Sequence, residues 1–255
     1  MTAVTYPRVL ASELTKLQSL RSSRLTLLIT LGLVVGLGVL IPWMSVSSCR
    51  DGTPTVGYDA VERSLGGIYL AQIAIGVLGA MVVTGEYATG SIRSTFAAVP
   101  RRLPVLWSKL AVFLVVTVVL GTLASALAFV LGQAIFTTKD VDASFGDPGV
   151  LRAVVGSGLF LAAMGAFGLA LGALLRNTAA AITALTMALF VVPIIVDFMP
   201  KGEKIAPYLP SQAGLNVTFT VSSGPLGPWA GFGVLCAYVV ATIALAAVLL
   251  VRRDA

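Results

Sequence analysis

The chain has 255 residues, of which 57% are hydrophobic and 11% charged, and its mean hydropathy is +0.97. A soluble domain carries about 25% charged residues, so this chain has too little polar surface for water and its principal solvent is lipid. A net charge of +6 and a pI near 9.6 would suit nucleic acid, but the basic residues sit at the ends of apolar runs rather than in a patch or stripe. No nucleic-acid partner is expected.

The first element is Tyr6 to Arg24. Leu10, Leu14 and Leu17 recur at helical spacing, with Glu13 and Lys16 off that stripe. A basic amphipathic helix beside a span reads as lying in the cytoplasmic interface, so residues 1–24 form an interface helix. Six apolar runs follow: Leu25 to Val46, Leu65 to Thr84, Leu110 to Phe136, Val154 to Leu175, Thr178 to Phe198 and Trp229 to Val251. Each has the ~20 residues needed to cross ~30 Å of hydrocarbon as a helix. The runs are continuous rather than alternating, which excludes barrel strands and predicts an all-α integral membrane protein of six helices. The first run, 22 residues long, exceeds the ~7–15 of a signal peptide and reads as a retained span. Trp43, Trp107 and Trp229 fall at or near the span ends, as in an aromatic belt.

Basic residues set the orientation. With both termini cytoplasmic, eleven Lys and Arg lie inside against six outside, while the acids run three to eight the other way. No Asp, Glu, Lys or Arg sits near the middle of a span, and the chain has no histidine. Ion-coupled carriers usually hold an ionisable group there, and histidine is the commonest general base, so neither secondary transport nor catalysis is expected. The carboxylates of Asp140, Asp142 and Asp147 lack calcium-loop spacing, and no metal site is expected. Cys49 and Cys236 are the only cysteines and are not expected to pair.

Two further patterns concern packing. Gly158, Ala162, Gly165, Gly168 and Gly172 share one face of the fourth span, and Gly32 and Gly36 form a second small pair in the first. Such faces let helix backbones approach, either within the chain or across a homodimer seam. Between spans five and six, residues 197–228 carry five prolines and the apolar run Gln212 to Val221. That run is too short to span and predicts a re-entrant or interfacial segment on the outer side.

The loop from Gly85 to Lys109 carries Arg93, Arg101, Arg102 and Lys109 against the single acid Glu86. Its pattern is Glu86, then Gly90-Ser91-Ile92-Arg93, then Pro100-Arg101-Arg102. It resembles the cytoplasmic loop of ABC-2-type export permeases, in which a glutamate and a glycine followed by Thr or Ser precede a proline with basic residues. The N-terminal SELTKLQSLRSSR and the outer-loop Tyr208-Leu-Pro-Ser-Gln-Ala-Gly214 are similar to the matching parts of actinobacterial members. Ser91-Ile92 departs from the Thr-Leu often found there.

The resemblance implies a bacterial plasma-membrane permease that pairs with a second copy or a homologous permease and with two separate ATPase subunits. Those subunits would carry ATP and Mg, because this chain lacks a phosphate-binding P-loop sequence. It further implies export of a hydrophobic or amphipathic small molecule and a coupling helix from about Tyr87 to Ala98. Glu86, Gly90, Arg93, Pro100 and Arg101 are the coupling residues it assigns. Glu86 is expected at a helix N-terminus, Pro100 is expected to stop the helix, and Arg93 is expected to face an acidic partner. Arg101, Arg102 and Lys109 are equally expected to set topology and touch lipid phosphates. A non-transporting membrane anchor or signalling subunit is the alternative, with a secondary carrier third.

Overall fold

The computed structural model describes residues 6–19, 21–48, 59–98, 102–139, 142–221 and 225–252. Regular structure among them is helical throughout, and six helices are long and apolar enough to cross a membrane. The amphipathic α1 (Tyr6–Ser19) leads into the first span, α2 (Arg21–Ser48). A short α3 (Ala60–Ser64) precedes the second span, α4 (Ile68–Ala88), and α5 (Ser91–Ala98) precedes the third, α6 (Arg102–Phe136). The fourth span is α7 (Val150–Leu175). The fifth joins α8 (Thr178–Thr186) to α9 (Val192–Asp197) through a π-helical turn, Met187–Val191. Short α10 (Gly202–Ile205) and α11 (Pro210–Leu215) connect it to the sixth, α12 (Pro228–Arg252).

The bundle is built around α7. Its most apolar stretch is 83% buried and that of α4 is 56% buried, against 22–28% for the other four spans. The glycine face accounts for this, because it brings backbone against backbone. Gly168 lies on Gly76 of α4, Gly172 on Ala80, and Gly158 on Thr122 of α6. Lipid offers no hydrophobic drive between helices, so such close approach is how they gain packing energy. The small stripe is therefore occupied within the chain. Gly32 and Gly36 of α2, by contrast, have nothing within 4 Å of where a β-carbon would stand. Exposed Leu28, Val115, Leu123, Ile194 and Val240 make an apolar outer surface of the kind lipid solvates.

The spans alternate in direction, which gathers polar contacts at two ends. At one end, Gln133 donates to Ala60 O and Ser64 Oγ and accepts from Ala143 N, while Arg152 donates to Phe219 O and Thr220 O. Asp59 caps α3 and accepts from Thr220 there. Beside it, burial and then the negative Asp59 raise the Glu62 carboxyl above its ordinary range, with Arg63 opposing. Asp147 of the neighbouring loop accepts from Ser144 N in a local turn. The other end collects α1, the end of α4, α5, the start of α6, the α7–α8 corner and the end of α12.

Two expectations change. Helix α6 begins at Arg102 rather than 110, because Pro104 falls in its first turn, where no amide hydrogen is needed. The helix of the basic loop is Ser91–Ala98 and not Tyr87 to Ala98, since Tyr87 and Ala88 complete α4. Residues 210–218 fold as α11 and a 3-10 turn whose Ala213, Leu215 and Val217 are buried, with Gly214 beside Phe160 of α7 and Leu235 of α12.

The glycine packing makes a paired prediction. A β-carbon at Gly168 would stand 2.7 Å from the Gly76 carbonyl carbon, so Gly168→Ala should cost about 1–3 kcal/mol as overpacking. Gly32→Ala meets open space and should be neutral or gain about 0.5–1 kcal/mol from the lower entropy of its unfolded chain. Thermal unfolding of the two variants in detergent checks the contrast.

Candidate functional site

Helix α4 runs on past its last apolar residues to Ala88, and Thr89 N and Gly90 N close it on Gly85 O and Tyr87 O. Gly90 takes φ +71°, a left-handed conformation that a β-carbon disfavours, and this turn separates α4 from α5. Gly90 thus acts as a helix stop. Glu86 consequently sits in the last turn of α4, not at a helix N-terminus as expected. The macrodipole is unfavourable to a carboxylate there, so its charge must be balanced by side chains.

Two lysines supply the balance. Lys16 Nζ of α1 lies 2.9 Å from Glu86 Oε1 and 2.8 Å from Glu13 Oε1. Lys109 Nζ of α6 lies 3.0 Å from Glu86 Oε1 and 2.5 Å from Glu13 Oε2. The four groups form a closed ring of alternating sign, with zero net charge, joining three helices. Glu13 and Lys109 are nearly inaccessible, with side chains 4% and 5% exposed. Charges this deep are tolerated only when paired and hydrogen-bonded. Burial lowers the pKa of Lys16, but its hydrogen bonds to Glu13 and Glu86 outweigh that and hold it above the ordinary 10.5.

The ring adds Glu13 to the buried side of α1. Glu13 and Leu17 are buried, whereas Leu14 is 39% exposed. Lys109 likewise faces Glu13 and Glu86 rather than lipid phosphates. The missed signals were the Glu13–Lys16 spacing of three and a lysine placed on the approach to an apolar run. Beside the ring, Arg176 at the α7–α8 corner stands 5.4 Å from the Tyr87 ring centre and donates to Leu249 O at 3.4 Å, linking α4, α7 and α12.

The remaining assigned residues are placed less fully. Arg93 lies on α5; Pro100 and Arg101 lie outside the described residues. On α5, Ile92 is buried and anchors the helix, while Ser91, Ser94 and Ala97 are exposed. Among the described residues no three His, Cys, Asp or Glu side chains converge as metal ligands. Chemically, the ring can hold α1 against α4 and α6, and the exposed side of α5 can meet a partner. No family model and no curated protein matches the chain.

The pH dependence follows from Lys16. Its folded-state pKa is raised, so the stability it adds is complete below the unfolded value of about 10.4 and is lost as pH climbs through the folded value. A nitroxide on Ser12, an exposed position of α1, should keep constant mobility from neutral pH to about 10 and loosen only above that. Electron paramagnetic resonance across the titration checks it.

Proposed function

We propose that this chain is the membrane permease of an ATP-driven exporter in a bacterial plasma membrane, with both termini cytoplasmic. Two permeases pair with two ATPase subunits, which hold the ATP and Mg. The observation that carries this reading is the coincidence of the Glu86–Gly90–Arg93 pattern with the ionic ring and the α4–α5 turn. The glutamate of the resembling loop is the residue that fastens the amphipathic helix to the bundle, and the glycine is the one at the left-handed turn between α4 and α5. The middles of the spans carry no Asp, Glu, Lys, Arg or His, which supports an energy source outside this chain.

In this reading α5 is the coupling helix and meets the ATPase through its exposed side, with Arg93 assigned to an acidic surface by resemblance. Glu86 is a positioning residue: through Lys16 and Lys109 it carries motion of α4 to α1 and α6. Pro100 and Arg101 stay assigned to the same loop by resemblance alone. The run Gln212 to Val221, between spans five and six, would be the re-entrant or interfacial segment on the outer side. A hydrophobic or amphipathic small molecule suits the largely apolar spans as cargo, with spans one, two and five as its walls.

Purification in mild detergent at physiological salt is expected to bring down a P-loop ATPase. Ala97→Arg, on the exposed side of α5, should weaken that association at least ~10-fold while leaving the thermal midpoint of the permease unchanged. Isolation without an ATPase, together with export that persists after ATP depletion, would overturn the reading in favour of the anchor or carrier.

A further inference from the structure

Beside the ionic ring lies a cavity of about 340 Å³, enclosed by α1, the first turn of α2, the end of α4 and the turn into α5. Its walls are mostly apolar, with Leu17 from α1 and Leu78, Met81 and Val82 from α4. Its polar lining includes all four members of the ring and the side chains of Ser22 and Ser23, with Ser19, Thr89 and Ser91. Glu86 Oε1 receives both lysines, but its Oε2 is buried and accepts no hydrogen bond. Lys16 uses two of its three ammonium protons on Glu13 and Glu86.

These leftovers describe a ligand. Glu86 Oε2 lacks a donor, and a charged donor serves a carboxylate best. Lys16 and the two serine hydroxyls offer donors to an anion. The ring is neutral, so a lone cation or a lone anion would unbalance it, whereas a zwitterion would not. The apolar walls then require hydrocarbon next to the charged part.

We infer that this cavity holds the head of an aminophospholipid. The primary ammonium donates to Glu86 Oε2, the phosphate accepts from Lys16, Ser22 and Ser23, and the first chain carbons lie along Leu78, Met81 and Val82. A choline head has no N–H to give Glu86, and a glycerol head has no cation. The site stands apart from the export reading and holds whether or not an ATPase binds.

The test uses the delipidated full chain in detergent, with thermal unfolding followed on adding dioleoyl phosphatidylethanolamine, phosphatidylcholine or phosphatidylglycerol. The ethanolamine lipid should raise the midpoint and bind at least about tenfold tighter than the other two, the expected worth of one charge-assisted hydrogen bond. Glycerophosphoethanolamine, the same head without chains, separates the sources. A smaller shift assigns the site to membrane lipid, and an equal one to the soluble head. Val82→Phe, which fills the cavity from its wall, should abolish the ethanolamine shift. Equal shifts from the three lipids, or a full ethanolamine shift in Val82→Phe, would overturn the proposal. The lipid comparison on the unmodified chain decides the matter even if the variant fails to fold.

Discussion

A charge at the edge of hydrocarbon must find its counter-charge inside the protein, and that constraint organises one end of this bundle. Glu86 closes α4 where the helix dipole repels it, and Lys109 is buried on α6. Neither is stable alone at that depth. Glu13 and Lys16 of α1 complete the ring, so the amphipathic helix is held as part of the fold rather than only by the membrane surface. Removing one member would strand the others, which makes α1, α4 and α6 a single mechanical unit at this end.

The rest of the bundle supplies rigidity to that unit. Helix α7 is clasped by α4 and α6 through backbone contact at Gly158, Gly168 and Gly172, so displacement of α4 is transmitted directly to the central helix. Arg176 joins the same end to α12. The left-handed Gly90 decouples α5 from α4 in direction while keeping it next to Glu86. A partner pushing on α5 would therefore act beside the turn and close to the ring. The middles of the spans, by contrast, carry no Asp, Glu, Lys, Arg or His.

The spans were legible in the sequence because run length and the need to satisfy backbone groups in lipid admit few alternatives. The glycine face of α7 was legible as a face, but periodicity names no partner. The intrachain contacts with Gly76, Ala80 and Thr122 needed the fold. The buried side of α1 departs in part from its hydrophobic period for a physical reason. Such a period assumes that charges point to water, and here Glu13 is drawn inward by Lys109 while Leu14 is left out. Glu86 belongs to α4 rather than to the following helix because apolarity ends at Thr84, whereas the backbone helix continues until Gly90 stops it. The pairing of Lys109 with Glu13 joins residues 96 positions apart in sequence, a distance no local pattern spans.

The ring is tested most directly by a double-mutant cycle on Glu13 and Lys109, read by hydrogen exchange of the α1 amides in the full chain. Glu13→Gln and Lys109→Met should each release α1. Their combination should cost less than the sum by at least ~1 kcal/mol, because the second change removes a charge that the first left unpaired. Additive effects within ~0.5 kcal/mol, or α1 amides that stay protected in Lys109→Met, would contradict the claim that this ring holds α1 to the bundle.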